Sequence, residues 1–300
     1  MSISESPTRG CYTECVITPF KALVVALGAC LALVSGCGGG TTKDRVQGLA
    51  PSEILRQSTT AAAALSAFLV AVDATVAADV APGTLPKLLA QAFNDSVTIT
   101  GEGPVNGDAA SFDFDATLAG LPPLQGNVTK VGGQLFAGVL GTDYRLDLPR
   151  AQVAAVVPGR LATGLLSWAT APTEVGRETV DGAKTVHLAA TVDTARALAD
   201  IAPALQAIQG TTLSAAARRQ VESALTTKTV DLWIGIDDLL PRRAAVKLRY
   251  AGGVTALSAL RKLTLDLTVS FTKHGETVAI TAPSTTNVLD LARLRALANK

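Results

Sequence analysis

The chain has 300 residues, with 26 Lys and Arg against 25 Asp and Glu, two His and a formal net charge of +1. A balance so near neutral, with no basic cluster, gives no electrostatic footprint for a nucleic-acid partner. At 48% hydrophobic and only 4% aromatic residues, the interior must be built from Ala, Val and Leu, so stability rests on many small burials at about 25 cal/mol per Å².

The N-terminus carries the first signal. Arg9 and Lys21 precede an uncharged apolar run, Ala22 to Val34, which ends in the tetrapeptide Val34-Ser35-Gly36-Cys37. A basic region, an apolar stretch of about 7–15 residues and small residues at the cut make a secretory signal. A cysteine directly after the cut is the bacterial lipoprotein form of it, a lipobox. Residues 1–36 are expected to be removed, Cys37 to carry a diacylglyceryl group, and the chain to be held at the membrane on its extracytoplasmic face. Two other readings are an uncleaved anchor, since Ala22 to Thr42 is uncharged, and a buried core helix. The triplet Gly38-Gly39-Gly40 argues against the first, and the place behind a basic N-terminus against the second. Residues 37–50 are expected to form a flexible tether, 51–285 the folded domain and 286–300 a helical tail.

The four cysteines are Cys11, Cys15, Cys30 and Cys37. Three lie in the removed segment and the fourth is the lipidation site, so the mature domain holds no disulfide although it sits in an oxidising compartment. Cleavage removes Glu5, Glu14, Arg9 and Lys21 together, which leaves the net charge unchanged.

After the tether, residues 51–64 read as a helix with Ser52 as its cap, and 65–78 fit either a strand or more helix. Leu85 to Phe93 reads as a short helix. The period then changes to two. Phe112 and Phe114 oppose Asp113 and Asp115; Val186, Leu188, Ala190 and Val192 alternate with Thr185, His187, Ala189 and Thr191. Val230, Leu232, Ile234 and Ile236 share a face, as do Val246, Leu248 and Tyr250, and Leu263, Leu265, Leu267, Val269 and Phe271. Strict alternation predicts antiparallel strands with one apolar and one wet face. Gly132-Gly133 and Asp181-Gly182 are hairpin turns, and His274-Gly275 is expected to turn 262–272 into a strand at 276–282. Helices are expected at Arg150–Val157, Leu161–Trp168, Thr194–Ile208, Ser214–Leu225 and Leu289–Ala298. The class is α+β: a large antiparallel sheet with helices on one face.

Several stretches in order resemble the LppX–LprAFG family of actinobacterial lipoproteins. They are Gly133-Gln134-Leu135-Phe136 with Tyr144-Arg145-Leu146-Asp147-Leu148, Val175 to Gly182 with Thr185-Val186-His187-Leu188, Val230-Asp231-Leu232-Trp233-Ile234-Gly235 with Leu240-Pro241-Arg242-Arg243, and Leu267 to Pro283. The likeness spans roughly 95–285, plus the lipobox. It departs at Tyr144, where the family tends to have Trp, and at 79–94, which looks like an insertion. The resemblance implies a curved half-barrel like LolA and LolB, with helices closing its concave face over an apolar cavity. It also implies a carrier that binds acylated lipid or glycolipid, with an envelope transporter as a partner.

Under that reading Phe112, Val186, Leu188, Leu232, Ile234, Val246, Leu248, Leu265 and Leu267 are candidates for the cavity wall. A bulky or charged residue at Ile234 or Leu265 is then expected to abolish lipid loading while leaving the fold. The alternative is a surface-anchored assembly protein with a filled core and no lipid. Catalysis has little to work with. His187 and His274 have no mature cysteine to join, Ser167 and Ser214 lack a nucleophile-elbow context, and no phosphate-binding glycine motif occurs. No cofactor or metal is expected, Asp113 and Asp115 read as a solvated face, and so do Arg218-Arg219 and Arg242-Arg243.

Overall fold

Period-two patterning over most of the chain produces twelve strands in a single open sheet. The structure, a computed structural model, describes residues 44–81, 91, 94–120, 122–139, 141–155, 157–200, 214–252 and 260–290. The signal segment and Cys37 lie outside the described residues. So do nearly all of the helix expected at Leu85–Phe93, residues 201–208 of the one at Thr194–Ile208, and the tail beyond Asp290.

The strands are β1 (Ala67–Val80), β2 (Val97–Asn106), β3 (Ala109–Leu118), β4 (Leu124–Val131), β5 (Gln134–Val139), β6 (Thr142–Leu146), β7 (Ala169–Val180), β8 (Ala183–Val192), β9 (Leu225–Gly235), β10 (Pro241–Tyr250), β11 (Leu260–Thr272) and β12 (Val288–Leu289). Across the sheet they run β12-β6-β5-β4-β3-β2-β1-β11-β10-β9-β8-β7. Two runs of neighbouring hairpin strands are joined where β1 pairs with β11. Neighbours are antiparallel, apart from the two-residue parallel pairing of β12 with β6. Helices α1 (Pro51–Ala63), α2 (Arg150–Ala155), α3 (Leu161–Ser167) and α4 (Ala215–Ala224) complete the α+β class, with a 3₁₀ turn at Pro158–Arg160 and helical residues at 194–200.

Turn chemistry behaves as the sequence demands. Gly132 and Gly133 have φ of 58° and 71°, and Asp181 and Gly182 of 50° and 81°. Two consecutive positive φ values match the right-handed twist of the flanking strands, which is why two-residue hairpins select Gly-Gly and Asp-Gly. Ser214 caps α4 by accepting a hydrogen bond from the Ala217 N–H at 3.1 Å.

Four expectations change and one that was left open is decided. The cap of α1 is Ala50, not Ser52; Pro51 occupies the first helical turn, where its missing N–H costs nothing. Residues 65–78 resolve as strand, because β1 finds partners on both sides in β2 and β11. The stretch 276–282 is not a strand: β1 and β10 already pair with both edges of β11, so no free edge is left for it. It runs on without regular structure past Asn106, whose side-chain amide donates to the Val278 carbonyl at 3.4 Å, and ends as β12 beside β6. Leu289 therefore belongs to a strand and not to the start of a helix. Finally, the folded domain begins earlier than residue 51. Val46 is buried in the core, and the Arg45 N–H donates to the Ile236 carbonyl at 2.8 Å.

Strand register puts the apolar residues on one face. Reading across the ladder, Leu188 lies beside Leu232, Leu232 beside Ala244, Ala244 beside Val269 and Val269 beside Val72. On the far side of β1, Ala74 pairs with Ile99, Ile99 with Ala116 and Ala116 with Leu124. This is the core face. The other, outer face carries Asp73, Thr100, Asp115 and Gln125 in one row.

Candidate functional site

The core face divides into two regions. From β8 to β10 it is sealed by helices. Ile54, Leu55 and Ala62 of α1 and Ala162, Leu165 and Leu166 of α3 pack with Val186, Leu188, Leu232, Ile234 and Val246. The spacing of Ile54, Leu55, Ser58 and Ala62 places them on one stripe of α1, as an amphipathic helix on a sheet requires. Val186, Leu188, Leu232 and Ile234 have no accessible surface at all. The rings of Phe68 and Phe271 meet edge-on at 5.8 Å and extend this packed region to the end of β1 and β11 nearest the Gly275 turn.

Toward the other end of β1 and β11, and across β2 to β5, the described helices leave the same face only partly covered: Ala74, Ala78, Val97, Ala116 and Tyr250 are buried there, but most of the side chains around them are not. Val72, Val76, Val80, Ile99, Phe114, Leu118, Leu248, Leu263, Leu265 and Leu267 are only half-buried. Leu124, Val128 and Val139 are exposed at 36%, 37% and 37%. Phe112 and Leu248 lie on the boundary, partly buried against the packed core.

Glycines shape this second region. A Cβ on Gly126 would stand 2.6 Å from the Phe114 ring, and one on Gly101 2.7 Å from the Phe112 ring. The two phenylalanine rings therefore lie over backbone and not over side chains, which keeps the face shallow and apolar. Strand charges do not intrude: on the core face of β1 to β5 the one charged residue is Lys130, buried and ion-paired with Asp108 at 2.5 Å.

The nine wall residues expected from sequence thus share one face, but the structure places them differently. Val186, Leu188, Leu232, Ile234 and Val246 are interior to the sealed region, while Phe112, Leu248, Leu265 and Leu267 are half-buried. A charge at Ile234 would enter a sealed core, so the expectation that it leaves the fold intact is corrected; Leu265 is half-buried. Val76 of β1, Ile99 of β2 and Phe114, beside Phe112 on β3, join the half-buried region, and Val128 of β4 lies exposed at its margin; none of the four was among the wall candidates. The alternation of Phe112 and Phe114 was the one signal in the sequence for that side.

On the outer face, Glu102, Asp113, Asp115, Gln125, Asn127 and Asp143 line an open groove of about 560 Å³. Asp113 and Asp115 are exposed, as alternation implies. His187 stacks on Trp233 at 4.4 Å, with its Nε2 3.0 Å from Asp231 and its Nδ1 3.3 Å from Glu178. Trp233 is the cross-strand partner of His187 on β9, Asp231 lies two residues along the same strand, and Glu178 comes from β7 on the other side. The arginine pair at 242–243 is not simply solvated: Arg242 pairs with Asp238 and donates to the His274 ring, and Arg243 lies 5.8 Å over Trp233. Burial and the Arg242 charge hold the His274 pKa below its ordinary value. Arg177 of β7 pairs with Asp44 and lowers its pKa. Among the described residues no group of three or more His, Cys, Asp or Glu is placed to hold a metal ion, and no helix is long and apolar enough to cross a membrane.

Several solved structures share this architecture. LprF from Mycobacterium bovis matches over 78% of this chain and 97% of its own, at 15% identity and a TM-score of 0.45. LppX from Mycobacterium tuberculosis matches over 77% and 100%, at 17% identity and a TM-score of 0.41. A LolA superfamily protein from Nitrosomonas europaea matches over 76% and 94%, at 12% identity and a TM-score of 0.23. The first two bear the names of the family that the sequence resembles. At these identities and scores the likeness carries no function with it. No family model and no curated protein matches the chain.

Proposed function

We propose that this protein is a membrane-anchored lipoprotein that binds acylated lipid or glycolipid on the half-buried region of its core face and carries it within the cell envelope. The observation that carries this reading is the unsealed apolar surface running from Leu248 and Leu265 through Val76, Ile99 and Phe114 to Val128. Monomeric soluble proteins rarely leave a contiguous apolar patch of that extent without a use for it. Acyl chains suit the surface, since burying each CH₂ is worth about 0.8 kcal/mol and needs no polar partner.

In this reading Phe112, Leu248, Leu265 and Leu267 touch the ligand. Val186, Leu188, Leu232, Ile234 and Val246 form the rigid packed region beside it. Cys37 supplies the anchor on the extracytoplasmic face, and Asp44, clasped by Arg177, marks where the tether joins the domain. The function is binding and transfer, not catalysis. Its test is mass spectrometry of an organic extract from purified protein with Cys37 replaced, so that the anchor contributes nothing. Stoichiometric diacylated or glycosylated lipid supports the carrier. A clean extract, from protein that also takes up no added lipid, supports the assembly-protein alternative.

A further inference from the structure

The strands at one side of the sheet have two unlike faces. On the core face, Leu124 and Val128 of β4 and Val139 of β5 are each more than a third exposed, half of the large hydrophobic residues so exposed among the described residues. Register makes them neighbours: Val139 pairs with Gly126, which sits between Leu124 and Val128 on the same face, and Gly126 pairs with Phe114. The patch therefore continues into the half-buried surface assigned above to lipid. On the outer face of these strands and the ones beside them stand Glu102, Asp113, Asp115 and Asp143, with no ion-pair partner among the described residues. An anionic membrane surface repels that face and accepts the other.

Chain length makes the contact reachable. Seven peptide steps separate Cys37 from Asp44, a span of at most about 25 Å when extended. Asp44 is held at β7, and the residues after it at the turn following β9. From β9 to β4 there are six inter-strand spacings in the sheet order, about 29 Å along the sheet. The tether is shorter than that span, so a molecule held by acylated Cys37 brings its β4–β5 side to the bilayer when it lies along the membrane and not when it stands upright on that edge.

We propose that the core face of β4 and β5, marked by Leu124, Val128 and Val139, is the lip that docks on a lipid bilayer and through which lipid passes to the half-buried face. The proposal rests on the carrier reading and on Cys37 acylation.

The mature chain has no cysteine besides Cys37, so Val128→Cys in the acylated protein offers one site for an environment-sensitive fluorophore. Asp113→Cys, on the outer face of β3, is the matched control. Both are reconstituted in phosphatidylcholine–phosphatidylglycerol vesicles that display a quencher on a transmembrane peptide, which a lipid site cannot take up. The expected result is quenching at 128 at least several-fold stronger than at 113. Equal quenching at the two sites overturns the proposal. So does a probe at 128 that is already shielded without vesicles, whether by a second copy (concentration-dependent) or by the chain itself.

A second variant separates this from the carrier reading. Val139→Asp, at the margin of the lip and outside the surface assigned to the ligand, is expected to slow lipid uptake from vesicles at least five-fold while loading from detergent-solubilised lipid stays unchanged. Equal uptake by both routes overturns the lip and leaves the carrier standing. Lipid recovered in the organic extract without quenching at 128 does the same, and a clean extract fails the carrier itself.

Discussion

β8 and β9 at one side of the sheet and β3 and β4 at the other obey the same alternation, yet their apolar faces end differently. Val186, Leu188, Leu232 and Ile234 have no exposure, because α1 and α3 lie across them. Phe114 is half-buried, and Leu124 and Val128 are exposed on strands with equally apolar core faces. Alternation therefore says which face is apolar, and the placement of helices decides whether that face is sealed core or stays partly open.

The largest expected effect lies in the sealed region. Leu232→Ala removes a fully buried side chain and is expected to cost about 2–5 kcal/mol, read by denaturant unfolding, with lipid uptake per folded molecule unchanged. A loss of uptake without a loss of stability would erase the division between the two regions. Next comes the mirror experiment. Leu265→Asp is expected to lower lipid affinity roughly tenfold or more, equivalent to about 1.4 kcal/mol, at a smaller cost in unfolding free energy than Leu232→Ala.

Two smaller effects sharpen the frame around these regions. His274 is held neutral by burial and by Arg242, so its folded pKa lies below the unfolded value near 6.5. The unfolded chain then binds more protons in that window. The stability contribution is complete above about pH 6.5 and is lost as pH falls through the folded pKa. The melting temperature should drop between pH 7.5 and 5.5, and His274→Gln should flatten that drop; an equal drop in the variant would remove the Arg242–His274 contact from the account. Smallest is Arg177→Ala. It breaks an exposed pair with Asp44, for which such pairs suggest about 0–1 kcal/mol, while loosening the hold of β7 on residues 44–48. Faster amide exchange confined to residues 44–48 and β7 would show that; unchanged exchange there would mean that the pair does not hold them.

Much of this was legible in the residues. The hairpins at Gly132-Gly133 and Asp181-Gly182, the cap at Ser214 and the common face of all nine wall candidates follow from local chemistry. What was not legible depends on contacts distant in sequence. That β1 is a strand depends on β11, some two hundred residues later, and that 276–282 is not one depends on β1 having taken the edge it needed. Ile234 and Leu265 look alike in sequence; only the presence of α1 and α3 over one and not the other separates them. The lipobox was the plainest signal for location, and Cys37 lies outside the described residues.

The most direct measurement is to map where a bound acyl chain sits. A lipid with a photoreactive group on its chain is loaded into the protein lacking Cys37, crosslinked, and located by peptide mass spectrometry. The account predicts adducts on β1, β3, β10 and β11 at residues such as Val76, Phe114, Leu248 and Leu265. Adducts confined to Val186, Leu188, Leu232 and Ile234, or spread over the outer face, would contradict it.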